Sequence, residues 1–213
     1  MGTQPVGFVG AGGVELWGEL VVRPSTVLLV HDAGRDLDAW APLPELLTDR
    51  GFGVFSFDLR GCGLSAGRAG GRGFTVDVVA AALYARTSGA REVFAVGAGT
   101  GADAVLRAAP DAGLSAVVLI SPVCASPGTL RRAALRCATV PKLVVVGSQD
   151  DAAFERSREL LALCIGPRLV VDLPTAEQSH ALLAGQCATQ ALDHAMTYLA
   201  HHRRIAEPAP TTP

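Results

Sequence analysis

The chain has 213 residues, 49% of them hydrophobic and 18% charged, with a formal net charge of −2 and a mean hydropathy of +0.34. That length suits one domain, and the apolar content is ample for a buried core, which excludes a disordered chain. The near-neutral charge, with Lys142 the only lysine among 18 basic residues, gives no extended basic face and excludes a general nucleic-acid surface.

Five cysteines stand at 62, 124, 137, 164 and 187. Their number is odd, their spacings are wide and no C-x-x-C occurs, which argues against both a zinc cluster and a disulfide framework. The longest apolar runs, such as residues 78–85, fall well short of the roughly 20 residues a membrane helix needs. No basic segment followed by a long apolar one opens the chain, so no signal peptide is expected. The expectation is a soluble protein of a reducing, cytoplasmic compartment. Its partner would be a small-molecule substrate or ligand, with a homodimer also compatible with the sequence, and with no nucleic acid and no membrane.

In chain order, a Gly-rich opening around Gly10, Gly12 and Gly13 leads into residues 14–22, whose period of two predicts a half-exposed strand. Short apolar runs follow at 26–31, 53–58, 93–98, 114–121, 143–147 and 169–173. Most are rich in Val, Leu and Ile with little alternation, as strands buried on both faces are. Helical patterns separate them at 40–50, 76–87, 102–109, 154–164 and 184–201. Strand–helix alternation of this kind predicts an α/β protein with a mostly parallel sheet wrapped by helices, and sites at the carboxyl ends of the strands. Residues 66–73, a Gly/Arg-rich run, read as a mobile loop. Residues 1–205 are expected to form one domain and residues 206–213 a disordered tail.

Residues 93–102 read VFAVGAGTGA, a strand, a tight Gly turn and a helix start. As G-x-G-x-x-A this is a dinucleotide fingerprint, with Gly97 and Gly99 opening a helix toward a pyrophosphate. That fingerprint belongs in the first βαβ unit, with an acidic residue ending the next strand. Here earlier core strands precede it, and the next strand ends Leu119-Ile120-Ser121-Pro122. As G-x-S-x-G, the same segment is a nucleophile elbow with Gly99 at the serine position. No cofactor or metal is expected.

The surrounding chain favours the elbow. His31-Asp32-Ala33-Gly34 after a strand resembles an H-G-x-G oxyanion loop, and residues 58–65 (DLRGCGLS) resemble a D-x-R-G-H-G-x-S loop. Downstream come Gly147-Ser148-Gln149-Asp150 at a strand end and His180 ahead of the last helix, in the order elbow, acid, histidine. From about Gly13 to His201 the chain resembles the α/β-hydrolase superfamily, and within it the small, capless dienelactone-hydrolase-related branch. The resemblance implies an α/β-hydrolase fold without a lid. It maps the triad histidine and acid onto His180 and Asp150, the oxyanion N–H groups onto Ala33 and Thr100, and the nucleophile onto Gly99.

Glycine offers no hydroxyl or thiol to form an acyl-enzyme. Three readings follow: general-base chemistry by a His180–Asp150 dyad on a small carbonyl-containing substrate, a pseudoenzyme that binds a ligand or partner, or an esterase-type hydrolase inactivated by an engineered Ser-to-Gly change. His31 is expected to support the oxyanion loop or touch substrate, and Asp150 or Asp151 to cap a helix if it is not the acid. Cys124 is a candidate to face the pocket. Arg131, Arg132 and Arg136 form either a solvated helix face or an anion contact at the pocket mouth, and Trp40 is expected in the core.

Overall fold

A computed structural model describes residues 3–123, 127–164 and 166–204, with the side chains of 127–130 left aside. The tail expected at 206–213 and Cys124 lie outside the described residues. Among the described residues, eight strands form one sheet: β1 (Gln4–Val9), β2 (Glu15–Val21), β3 (Ser25–Val30), β4 (Gly53–Phe57), β5 (Glu92–Ala98), β6 (Val117–Ile120), β7 (Lys142–Gly147) and β8 (Arg168–Leu173). Their order is β1-β2-β4-β3-β5-β6-β7-β8. β1 and β2 run antiparallel to their neighbours, and every pairing from β4 to β8 is parallel.

The burial pattern explains why the central strands read as unbroken apolar runs. Every residue of β3, β4, β5, β6 and β7 is buried, because helices cover both faces. β2 alternates instead, with Leu16, Gly18 and Leu20 inward and Glu15, Trp17 and Glu19 outward.

Among the described residues, six α-helices flank the sheet: α1 (Leu43–Asp49), α2 (Arg72–Thr87), α3 (Thr100–Ala108), α4 (Pro127–Arg136), α5 (Asp151–Ala162) and α6 (Ala188–His202). α2, α3, α4 and α5 enclose one apolar core with Leu28, Val30, Phe55 and Phe57 of the sheet. α1 and α6 enclose the other with Val27, Leu29, Phe94 and Val96. Among the described residues, only α4 stands between β6 and β7, where a lid would be inserted. No described helix is long and apolar enough to cross a membrane.

Some boundaries differ from the sequence reading. β1 is a strand where only a Gly-rich lead-in was expected, because Pro5 and Gly7 disguise it and Phe8 is its one buried residue. Phe8 packs its ring at a tilt against Phe55 and Tyr84, with centroids 5.2 and 5.3 Å away. Gly12 and Gly13 close the β1–β2 turn at φ +77° and +76°, a region that side chains avoid. α2 begins at Arg72 and takes in the end of the expected 66–73 loop, since burying Phe74 rewards the extra turn. α6 begins four residues later than expected, after a 3-10 turn at Ser179–Leu183.

Candidate functional site

The carboxyl ends of β3 and β5 lie side by side and parallel, so the loop after β3 meets the turn into α3. Gly99 holds that turn at φ +55°, ψ −118°, and Thr100 opens the helix. Gly97 and Gly101 are required by close approach: a Cβ on Gly97 would press against the Ala102 backbone, and one on Gly101 would collide with the carbonyls of Val30 and His31. The G-A-G-T-G spacing is thus partly a packing solution.

The loop after β3 is pinned from below. The amide of Leu59 donates to Nε2 of His31 at 3.0 Å, and His31 Nδ1 donates to the Asp32 carbonyl at 2.8 Å. These two bonds fix the neutral tautomer, and burial pushes the His31 pKa down despite the Asp32 carbonyl and nearby carboxylates. His31 is fully buried, so both ring nitrogens serve the backbone and no face is left for substrate. Asp58 ties the next turn by accepting from the amides of Leu37 at 2.9 Å and Leu64 at 2.8 Å. Arg60 is locked to the fully buried Asp77 at 2.6 Å. Cys62 is buried, which raises its thiol pKa and makes it inert.

Asp32 fills the space that these elements converge on. Its Oδ1 accepts from the Ala33 amide at 2.8 Å, the Thr100 amide at 2.9 Å and the Thr100 hydroxyl at 2.7 Å. Its Oδ2 accepts from the Ser179 hydroxyl at 2.9 Å. Ala33 and Thr100 carry the two N–H groups to which the resemblance assigns an oxyanion, and both point at one oxygen of Asp32. A Cβ on Gly99 would collide with the same carboxylate. Asp32 therefore stands where a side chain at position 99 would stand. Burial alone would raise its pKa, but the hydrogen bonds from Thr100, Ser179 and Ala33 outweigh burial and hold it below the ordinary carboxylate value.

His180 sits on the other side of Asp32, in the 3-10 turn, next to Ser179 at the unusual φ of +52°. Its Nε2 accepts the Asp32 amide at 3.2 Å. Its Nδ1 is buried and makes no well-aligned hydrogen bond, although the Ala39 backbone is close enough to pull the ring's pKa upward. The ring stands edge-on to Trp40, centroids 4.5 Å apart, and Trp40 is buried in the core as expected. Burial lowers the His180 pKa to about 4, against the upward pull of Asp32 and the Ala39 backbone and with a further push down from His31 and Arg35. The ring is neutral at pH 7.

Asp150 is not hydrogen-bonded to His180. It caps α5, with one carboxylate oxygen accepting from the Ala153 amide at 3.1 Å and the other from the Gln178 side-chain amide. The bond His180 makes is to the backbone amide of Asp32, whose carboxylate acts on the ring through its charge alone. Sequence reasoning quoted Asp32 within the H-G-x-G-like loop without reading its side chain. The available signal was reciprocal: a glycine position holds Asp, and a serine position holds Gly99. Ser179 and Gln178 were also missed, and no motif marks them.

The arginines lie elsewhere. Arg131 and Arg132 are exposed on α4. Arg132 and Arg136 line a groove of about 500 Å³ with Arg72, Arg107 and Asp111, and Arg136 pairs with Asp111 at 2.7 Å. Arg107 is seven residues along α3 from Thr100, about 10 Å from the turn at Gly99 at 1.5 Å per residue. This groove is at the far end of α3 from Asp32.

A family model described as serine aminopeptidase, S33 matches residues 23–205. No curated protein matches the chain. Among solved structures, the chain is similar to dienelactone hydrolase from Anabaena variabilis, with 23% identity, a TM-score of 0.76, and 95% of this chain and 99% of that one covered. It is also similar to the Pyrococcus furiosus esterase Pf2001, with 16% identity, a TM-score of 0.75 and coverage of 94% and 91%. A third likeness is to the α/β hydrolase GrgF from Penicillium sp. sh18, with 14% identity, a TM-score of 0.78 and coverage of 95% and 99%. At these identities the structural likenesses establish the fold.

Proposed function

The chain belongs to the serine aminopeptidase S33 family of the α/β-hydrolase superfamily, and from that premise we propose that it is a pseudoenzyme that binds a ligand or partner and forms no acyl-enzyme. The observation that carries this reading is the seat of Asp32. Acyl transfer in this fold needs a nucleophile at the turn and an empty pair of N–H groups for the oxyanion. Here Gly99 supplies no nucleophile, and the carboxylate of Asp32 already accepts from Ala33 and Thr100. The same seat weighs against an engineered Ser-to-Gly change in an otherwise ordinary hydrolase, because a serine at position 99 would have to displace Asp32.

A second reading is supported by His180, which burial keeps neutral at pH 7 and whose Nε2 lone pair faces the Asp32 loop. With Asp32 swung aside, the four donors around it would hold a developing enolate while His180 moved the proton, a general-base reaction on a small carbonyl compound. The Asp150 of that dyad would first have to leave Gln178.

Incubation with a fluorophosphonate probe and with short-chain nitrophenyl esters tests the first reading. It predicts no covalent labelling and no turnover above buffer. Turnover that disappears in His180→Ala would overturn it.

A further inference from the structure

The sheet has two outer edges. β1 carries Pro5, which has no N–H to offer, and no charged side chain. β8 carries neither proline nor glycine, and its pattern runs exposed, exposed, half-buried, half-buried, exposed, buried. Such an edge presents unpaired backbone groups to any strand that can register with it.

Its register is legible. The Lys142 amide donates to the Pro167 carbonyl at 3.0 Å, and the Ser148 amide donates to the Leu173 carbonyl at 2.8 Å. The pairing with β7 runs unbroken between them. Backbone groups alternate in direction along a strand, so the odd-numbered residues face β7, and the N–H and C=O groups of Arg168, Val170 and Asp172 face outward.

We propose that this edge binds a second copy of the chain, β8 to β8 across a two-fold axis at Val170. In an antiparallel pair so centred, Val170 meets Val170 of the second copy as a hydrogen-bonded pair, the type in which two residues exchange both bonds. Arg168 then lies opposite Asp172, and the two-fold axis makes this pair twice. Neither side chain forms an ion pair among the described residues. The strand is therefore complementary in charge to its own reverse.

On the α6 face, Leu169 lies opposite Val171 as a non-hydrogen-bonded pair, where side chains come closest. Leu169 is 49% exposed and borders a groove of about 400 Å³ lined by His194, Tyr198 and His201 of α6. Pairing there covers the apolar side chain that the single chain leaves in water. The dimer carries one continuous sheet with both α6 helices on one face. It leaves Asp32 and His180 untouched, so it stands or falls apart from the proposed function.

The test is sedimentation of the full chain over a wide concentration range, with charge reversals at the two positions. The expected result is a monomer–dimer equilibrium. Arg168→Asp or Asp172→Arg alone should weaken dimerisation by roughly tenfold or more, because each reversal sets like charges opposite one another twice. The double reversal Arg168→Asp with Asp172→Arg restores opposite charges and should recover the dimer. Val170→Pro, which removes an outward N–H, should weaken dimerisation without loss of the β7 pairing. A chain that stays monomeric at the highest concentration overturns the proposal. So does a dimer indifferent to the single reversals, or one that the double reversal does not recover.

Discussion

His31 and His180 flank Asp32 and share a low pKa, yet the fold treats them differently. His31 is fully buried, and each of its nitrogens has a backbone partner. His180 is nearly as buried, but its Nε2 makes a single bond of 3.2 Å and its Nδ1, beside Trp40, makes no well-aligned one. Two imidazoles in similar burial can thus be a structural bolt and a ring with an N–H to spare. The partner on the second nitrogen separates them, since an unmade buried hydrogen bond costs about 1 to 3 kcal/mol. A fold keeps that cost only where packing imposes it or a ligand relieves it.

The largest effect expected from this contrast is on stability. His31→Ala removes both backbone bonds and leaves a void below the loop, and should cost about 3 to 4 kcal/mol in denaturant unfolding at pH 7. His180→Ala gives up one weak bond and an aromatic contact and should cost clearly less. Equal costs would break the contrast.

The next effect is in the acid limb of stability. His180 titrates near 4 in the folded chain and near its ordinary 6.5 when unfolded, so the unfolded state gains a proton that the native state lacks. Stability is full above about pH 6.5 and falls as the pH drops toward 4, by about 3 kcal/mol at 1.36 kcal/mol per pKa unit. His31, also lowered, adds loss in the same direction. Unfolding free energies from urea titrations between pH 7 and pH 4 should fall less in His180→Ala by that amount. Parallel profiles would show that His180 is not held neutral by burial.

The smallest effect sharpens the assignment of partners. Asp150→Ala removes the α5 cap and should cost about 1 kcal/mol, while the His180 pKa, followed by NMR, should stay where it is. A drop in that pKa would mean that Asp150 and His180 form the dyad after all.

The contrast also marks how far the sequence could be read. The buried strands were legible because helices on both faces demand unbroken apolar runs, as in Thr26 to Val30 and Leu143 to Val146. β1 was not, because its edge position relaxes the pattern enough to admit Pro5 and Gly7. The turn at Gly99 and the loop at His31 were placed by their motifs. What fills the space between them depends on a tertiary approach that no local pattern encodes. Asp150 illustrates the same limit: an Asp between a strand end and a helix start looks alike as triad acid and as cap.

The central claim is that the Asp32 carboxylate occupies the place of a side chain at position 99, and a double-mutant cycle measures this directly. Gly99→Ala is made with Asp32 present and again with Asp32→Gly, and the four unfolding free energies are compared. The strain of φ +55° is common to both backgrounds and cancels. If Asp32 fills that place, the alanine should cost at least about 2 kcal/mol more when Asp32 is present. Additive costs, within about 0.5 kcal/mol, would mean that the carboxylate lies elsewhere and that the site is open.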